Sequence, residues 1–241
     1  MTSDYLRLKY AFFYPAIFLL VLWLVKIAEF FLDTDWSYLG LKPRDLVHLY
    51  GIFSSIFLHG DFSHLFANSF PLLVLGATLF YFHKKIAFKV VFWGVLFTGF
   101  LVWLVARPST HIGASGLVYV LAAFIFTSGV ISKQRQLMAI SMMVIFLYGG
   151  MIWGVLPLKS GISWESHLFG GVVGVVFAFV FKSNYFVVEE PEPEIVKMKR
   201  STGNFDTEFS QISHTAGFEE FSFTYKFFSE KKLNDNKETE N

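Results

Sequence analysis

The 241-residue chain contains no cysteine and few charged residues. Without thiols it forms no disulfide bond, no thiolate nucleophile and no cysteine-ligated metal site. Charged residues supply only 16% of the chain, against about a quarter in soluble domains, whereas 54% of the residues are apolar and 20% are aromatic. This is too little charge to cover a water-facing surface of normal size, so the composition predicts a membrane protein.

The few charges are divided unevenly along the chain. Residues 1–182 carry 13 Lys and Arg against 7 Asp and Glu, whereas residues 183–241 carry 7 against 12. We therefore expect a transmembrane domain over residues 1–182 and a polar, acidic, mostly disordered tail over residues 183–241. Neither part is basic enough to predict a nucleic-acid partner.

Six apolar runs have about the length that a membrane-spanning helix requires. A bilayer core about 30 Å thick is crossed by about 20 helical residues. The runs are Ala11–Leu32, His64–Phe82, Ile86–Ala106, Ile112–Ile131, Leu137–Leu156 and Trp164–Phe181. Long apolar runs without alternation form helices in lipid, so the predicted fold class is an all-α membrane protein with a bundle of six transmembrane helices. The apolar stretch Leu46–Leu58 is too short to span and is expected to lie in the outer interface.

Basic residues indicate how such a bundle is oriented. With the N-terminus in the cytoplasm, the inner side receives eight Lys and Arg and the outer side receives four. The positive-inside rule thus predicts a multi-pass protein with both termini in the cytoplasm. Lys26 and Glu29, near the outer end of the first run, have the i, i+3 spacing at which two helical side chains can pair.

Three polar residues each lie at or near the start of an alternate run: His64, Ser115 and His167. Because alternate spans run in the same direction, all three residues are predicted near the outer face. Ionisable or nucleophilic groups at membrane depth are costly and predict function. A serine hydroxyl needs a base to act as a nucleophile, and His167 is the candidate base.

Small and polar residues accompany these three. Ser115 lies in the segment Gly113-Ala114-Ser115-Gly116, at a predicted helix start whose unpaired N–H groups suit a developing oxyanion. Gly170 and Gly174 share one helix face with His167 and predict close packing against the glycines of the Ser115 helix. 

Two further side chains have the spacing to reach the same place. His64 and Asn68 are four residues apart and can both donate hydrogen bonds toward a common point. Tyr119 lies one helical turn after Ser115, where its ring can stack on the imidazole of His167.

These segments resemble the signatures of the rhomboid intramembrane serine proteases. HGDFSHLFAN resembles the second-helix signature of that family, GASG its nucleophile motif, and HLFGGVVG its sixth-helix motif. The resemblance covers roughly residues 46–181, and it implies cleavage of transmembrane protein substrates within the lipid bilayer of a bacterial plasma membrane. One departure lies in the first outer loop, where Trp36 is followed by Ser37 and not by the arginine of well-known bacterial members.

The resemblance also implies a role for each site residue. Ser115 is the expected nucleophile, and His167 is the expected general base and then acid. His64, Asn68 and Gly113 are expected to form or support the oxyanion site, with Tyr119 supporting the imidazole.

Other interpretations remain open at this level. Ser115 also fits a small packing residue, and an inactive rhomboid-like protein that only binds transmembrane helices has the same fold. A transporter is disfavoured, because no charged pathway crosses to the inner leaflet. Glu165 lies two residues before His167 and points elsewhere on a helix, so we predict a dyad without a third acid. His59 and His64 lack a third ligand, so we expect no metal and no cofactor. The oligomeric state is left open.

Overall fold

The computed structural model describes residues 3–147, 153–156 and 163–184, all within a unit spanning residues 1–190. This part of the chain is helical and contains no β-strand. Its seven α-helices are α1 Ser3–Phe31, α2 Gly51–Ser54, α3 Phe62–Phe82, α4 Ala87–Val105, α5 Ser115–Ser132, α6 Arg135–Leu147 and α7 Trp164–Val180. The predicted disordered tail lies outside the described residues, apart from Ser183 and Asn184.

Four of these helices are long and apolar enough to cross a membrane: α1 from Tyr5, α3, α4 and α5. The apolar helices α6 and α7 are shorter, with 13 and 17 residues. Each of the six predicted spans thus contains a helix, while the count of six spans stays a prediction. The fifth predicted span continued to Leu156; the described part of α6 ends at Leu147, and a separate 3-10 turn occupies Trp153–Val155.

The apolar run that contains α5 begins three residues before the helix. The run starts at Ile112, whereas α5 begins at Ser115, the residue expected at the helix start. The reason is Gly113, whose φ of +108° is a conformation that a right-handed helix does not allow. The turn at Gly113 therefore makes Ser115 the first residue of the helix.

Helix α5 lies at the centre of the bundle and packs most extensively against α7. Two glycines of α7 permit this contact. A Cβ added to Gly170 would fall on the carbonyl of Gly116, and one added to Gly174 would fall on the carbonyl of Val120. The small residues let the two backbones approach closely, as the sequence predicted. 

The loop between α1 and α3 is attached to the end of α4. Arg44 donates from its backbone N–H to the carbonyl of Trp103 at 2.8 Å and from its guanidinium to the carbonyl of Ala106 at 2.7 Å. The indole of Trp103 donates to the carbonyl of Asp45 at 3.0 Å. Here the loop is anchored by an arginine at position 44, far from Trp36. Helix α2, within the predicted interfacial stretch, is a single turn.

Candidate active site

Ser115 and His167 meet at the N-terminal ends of α5 and α7. The Nε2 atom of His167 lies 2.8 Å from the Oγ atom of Ser115, which is hydrogen-bonding distance. The imidazole is buried, with 8% of its residue surface exposed, whereas Ser115 is partly exposed. A partly exposed serine thus contacts a shielded base.

The hydrogen bond made by Nδ1 of His167 determines which of the two ring nitrogens carries the proton. The Nδ1 atom lies 2.8 Å from the carbonyl oxygen of Gly154, in the 3-10 turn Trp153–Val155. A carbonyl oxygen only accepts, so Nδ1 carries the proton. In the neutral imidazole Nε2 is then unprotonated and accepts the hydrogen bond that Ser115 donates.

Tyr119 covers one face of this imidazole. The rings of Tyr119 and His167 are stacked, with centroids 4.3 Å apart and planes inclined by 13°. A Cβ added to Gly154 would collide with the Tyr119 hydroxyl and approach Nδ1 of His167 to 3.0 Å. The imidazole therefore contacts the Tyr119 ring and the backbone of Gly154, where there is no room for a side chain.

His64 lies against the turn that precedes Ser115. A Cβ added to Gly113 would approach the Cε1 and Nε2 atoms of the His64 ring to 2.8 and 3.0 Å. The absence of a side chain at Gly113 thus lets the ring of His64 reach the start of α5. At this start the first backbone N–H groups have no partner within the helix, so two kinds of donor lie close together.

Asn68 is buried one turn below His64 on α3, with 6% of its surface exposed. Its Nδ2 atom has no hydrogen-bond partner among the described residues. Leaving a buried amide donor unpaired costs about 1–3 kcal/mol, so such groups indicate a function or an absent partner. 

The loop before α3 is held from two sides. Asp61 caps α3 by accepting the backbone N–H of His64 at 2.7 Å. Lys26 of α1 donates to the carbonyls of His59 and Gly60 at 2.9 and 3.1 Å. Lys26 also pairs with Glu29 at 2.9 Å, which confirms the pairing predicted from their spacing.

His59 itself is buried beside His64, with ring centroids 5.1 Å apart. Burial, together with the nearby His64, lowers the pKa of His59 to about 4, so its ring is neutral at pH 7. Its Nε2 atom lies 3.5 Å from the backbone N of Ala114. His59 therefore braces the Gly113 turn. 

Among the described residues, no carboxylate is hydrogen-bonded to the imidazole of His167. Glu165 is buried, and its Oε1 atom accepts from Nε of Arg107 at 3.1 Å. His111 hydrogen-bonds Ser163, whose hydroxyl is 2.6 Å from that of Ser166. 

Sequence reasoning missed Gly154 and the contact of Lys26 with the loop. In both contacts the acceptor is a backbone carbonyl, a group that every residue carries, so no sequence motif marks them. A lysine within the apolar run Ala11–Leu32 was the one available signal for Lys26. For Gly154 the only signal in the sequence was that the residue is a glycine.

Comparison with known proteins identifies a family. Residues 47–184 match the model of the Rhomboid domain. An uncharacterized protein of Mycobacterium tuberculosis is 31% identical over 195 residues, covering 76% of this chain and 78% of the relative. An uncharacterized protein of Mycobacterium leprae is 33% identical over 177 residues, covering 69% of each chain.

Proposed function

The chain belongs to the rhomboid family of integral membrane proteins, and we propose that it is an intramembrane serine endopeptidase. The observation that carries this proposal is the 2.8 Å contact between Ser115 Oγ and His167 Nε2, with the Nδ1 proton held by Gly154. A nucleophile, a base and a group that orients the base are the parts that acyl transfer by serine requires. 

The first half of the reaction forms an acyl-enzyme. Ser115 Oγ attacks the carbonyl carbon of the scissile peptide, and its proton passes to Nε2 of His167. The Gly154 carbonyl stabilises the resulting imidazolium through the Nδ1–H. His167 then gives the proton to the leaving amine nitrogen, and the peptide C–N bond breaks.

The second half releases the product. A water molecule loses a proton to Nε2 and attacks the ester carbon. The bond between that carbon and Ser115 Oγ then breaks as His167 returns the proton to Oγ, which releases the carboxyl product. In both halves the carbonyl oxygen becomes an oxyanion. We assign its stabilisation to the N–H groups at the start of α5 and to the side chains of His64 and Asn68, with Gly113 providing the space.

The substrates that we propose are transmembrane helices cut near the outer leaflet. A helix hides its carbonyls in internal hydrogen bonds, so the substrate must unwind locally before attack. Weak helix formers such as glycine or proline near the cut favour this step. The proposal includes six spans, cytoplasmic termini, a bacterial plasma membrane and a separate acidic tail over residues 183–241.

The test is cleavage of a model transmembrane substrate by the purified full-length protein in liposomes. Ser115→Ala and His167→Ala should each abolish cleavage while leaving thermal stability near that of the wild type. A fluorophosphonate probe should label Ser115, and His167→Ala should prevent the labelling. Equal cleavage by Ser115→Ala would end the proposal. A purified wild type that binds the substrate without cutting it would favour the inactive, helix-binding alternative.

A further inference from the structure

A large cavity lies at the end of the bundle opposite to Ser115 and His167. It has a volume of about 720 Å³ and is bounded by the start of α1, the end of α3 and the turn before α4. Helix α3 has 21 residues, so about 30 Å separate this cavity from the His64 end of the same helix. The cavity is therefore distinct from the candidate active site.

The lining of the cavity is cationic and aromatic. Its polar and charged members include Arg7, Lys84, Lys85, Tyr10, Tyr14 and Tyr81. Lys84 and Lys85 are exposed and adjacent, in the turn that joins α3 to α4. Ammonium and guanidinium groups with phenol hydroxyls nearby are donors that suit a phosphate ester. 

Acidic residues are concentrated at the other end of the bundle. Apart from Asp4, the acidic residues before Ser183 are Glu29, Asp33, Asp35, Asp45, Asp61 and Glu165. All six belong to the elements around the loops that flank the candidate active site. Around the cavity, the described start of α1 and the α3–α4 turn carry Arg7, Lys9, Lys84 and Lys85 against Asp4. This net positive charge of the described residues favours an anionic ligand.

The surface beside the cavity indicates that this ligand is a lipid. Tyr10 and Phe88 each expose more than half of their surface, at 59% and 58%, and Tyr14 exposes 40%. These exposed aromatic residues belong to α1 and α4, two of the helices that are long and apolar enough to cross a membrane. Basic pockets between membrane helices are known to hold anionic headgroups.

We propose that this cavity binds the headgroup of an anionic phospholipid, with Lys84 and Lys85 contacting the phosphate. The acyl chains lie along the exposed aromatic surface of α1. The proposal does not rest on protease activity, since no residue of the candidate active site takes part.

The experiment is native mass spectrometry of the full-length protein in non-ionic detergent with equimolar phosphatidylglycerol and phosphatidylcholine of identical acyl chains. The wild type should retain phosphatidylglycerol preferentially. Lys84→Gln/Lys85→Gln should lower the ratio of bound phosphatidylglycerol to phosphatidylcholine by about 30-fold, since each of the two lysines near a charged membrane surface contributes about 1 kcal/mol.

The matched control is Lys89→Gln/Lys133→Gln, which removes two exposed cations that do not line the cavity. This variant should keep the wild-type ratio. An equal loss in both double variants would overturn the proposal in favour of general surface charge. Displacement of the lipid by excess inorganic phosphate alone would also overturn the proposal, because the cavity would then bind a soluble anion without any preference for a lipid. Equal retention of both lipids by the wild type contradicts it outright.

Discussion

The ammonium of Lys26 on the first helix donates a hydrogen bond of 2.9 Å to the carbonyl oxygen of His59, five residues before His64. This contact joins α1 to the loop that starts α3. The side chain of Lys26 is 12% exposed and that of Glu29 is 7% exposed, so the ion pair between them is largely shielded. Helix α1 precedes the segment that matches the Rhomboid domain, yet it supports the site.

We expect Lys26→Met to lower both stability and cleavage. Removing one member of a buried ion pair leaves an uncompensated charge, at a cost of about 3–5 kcal/mol. The double variant Lys26→Met/Glu29→Gln removes that charge and should regain most of the melting temperature. It should not regain cleavage, because the carbonyls of His59 and Gly60 still lack the hydrogen bonds that Lys26 donates. 

The measurements are thermal melting and the separate determination of kcat and KM in liposomes. A positioning role predicts a fall in kcat with little change in KM. Recovery of full cleavage by the double variant would instead show that Lys26 acts only on stability.

Asn68→Ala should separate activity from stability. If the unpaired Nδ2 atom binds the oxyanion, its loss should lower kcat by about 100- to 1,000-fold. The folded protein loses no hydrogen bond from Nδ2, so the melting temperature should fall by only a few degrees, through lost packing. A large loss of stability with kcat unchanged would assign Asn68 to the fold alone. Asn68→Asp, which keeps the size and removes the donor, is the conservative comparison.

Gly154→Ala should impair the site without unfolding the bundle. The new methyl group would collide with the Tyr119 hydroxyl and push on Nδ1 of His167, so the imidazole must move. A displacement of about 1 Å in a reacting group can lower the rate about 100-fold. Fluorophosphonate labelling of Ser115 should fall in parallel. Gly60→Ala is the matched control, since nothing lies within 4 Å of its added Cβ; equal activity of both variants would contradict the role of Gly154.

The three glycines of α7 provide a test of the α5–α7 contact. Gly170→Ala forces a methyl group onto the Gly116 carbonyl, and overpacking of this kind typically costs about 1–3 kcal/mol. We expect a clear fall in melting temperature and in cleavage. Gly171→Ala points into open space and should be neutral or slightly stabilising, because alanine favours a helix over glycine by about 1 kcal/mol. Equal effects of the two substitutions would exclude close packing as the reason for Gly170.

Helix positions, and the helix ends that carry the candidate site residues, could be predicted because they depend on local order in the chain. Each apolar run contains a helix, and the spacing of Lys26 and Glu29 predicted their pairing. The same periodicity placed His167 and Gly170 on one face, and the geometry brings Ser115 and His167 into contact. The apolar run extends three residues beyond the start of α5, because a run of apolar residues does not show that Gly113 has a positive φ.

In the first outer loop, Ser37 follows Trp36 where well-known bacterial members of the family have an arginine. The structure supplies a different anchor through Arg44 and Trp103. These residues are 59 positions apart in the sequence, and both contacts use backbone carbonyls. No local pattern could have paired them.

Sequence alone determined that this protein is apolar and helical, that its helices carry Ser115 and His167 at matching ends, and that glycines line the face between them. Tertiary structure alone decided that the carbonyl of Gly154 accepts a hydrogen bond from Nδ1–H of His167 and that Lys26 holds the loop before His64. The physical reason is that side-chain types and their periodicity are written in the sequence. A backbone carbonyl is the same group at every position, so only the packed fold selects which one becomes a partner.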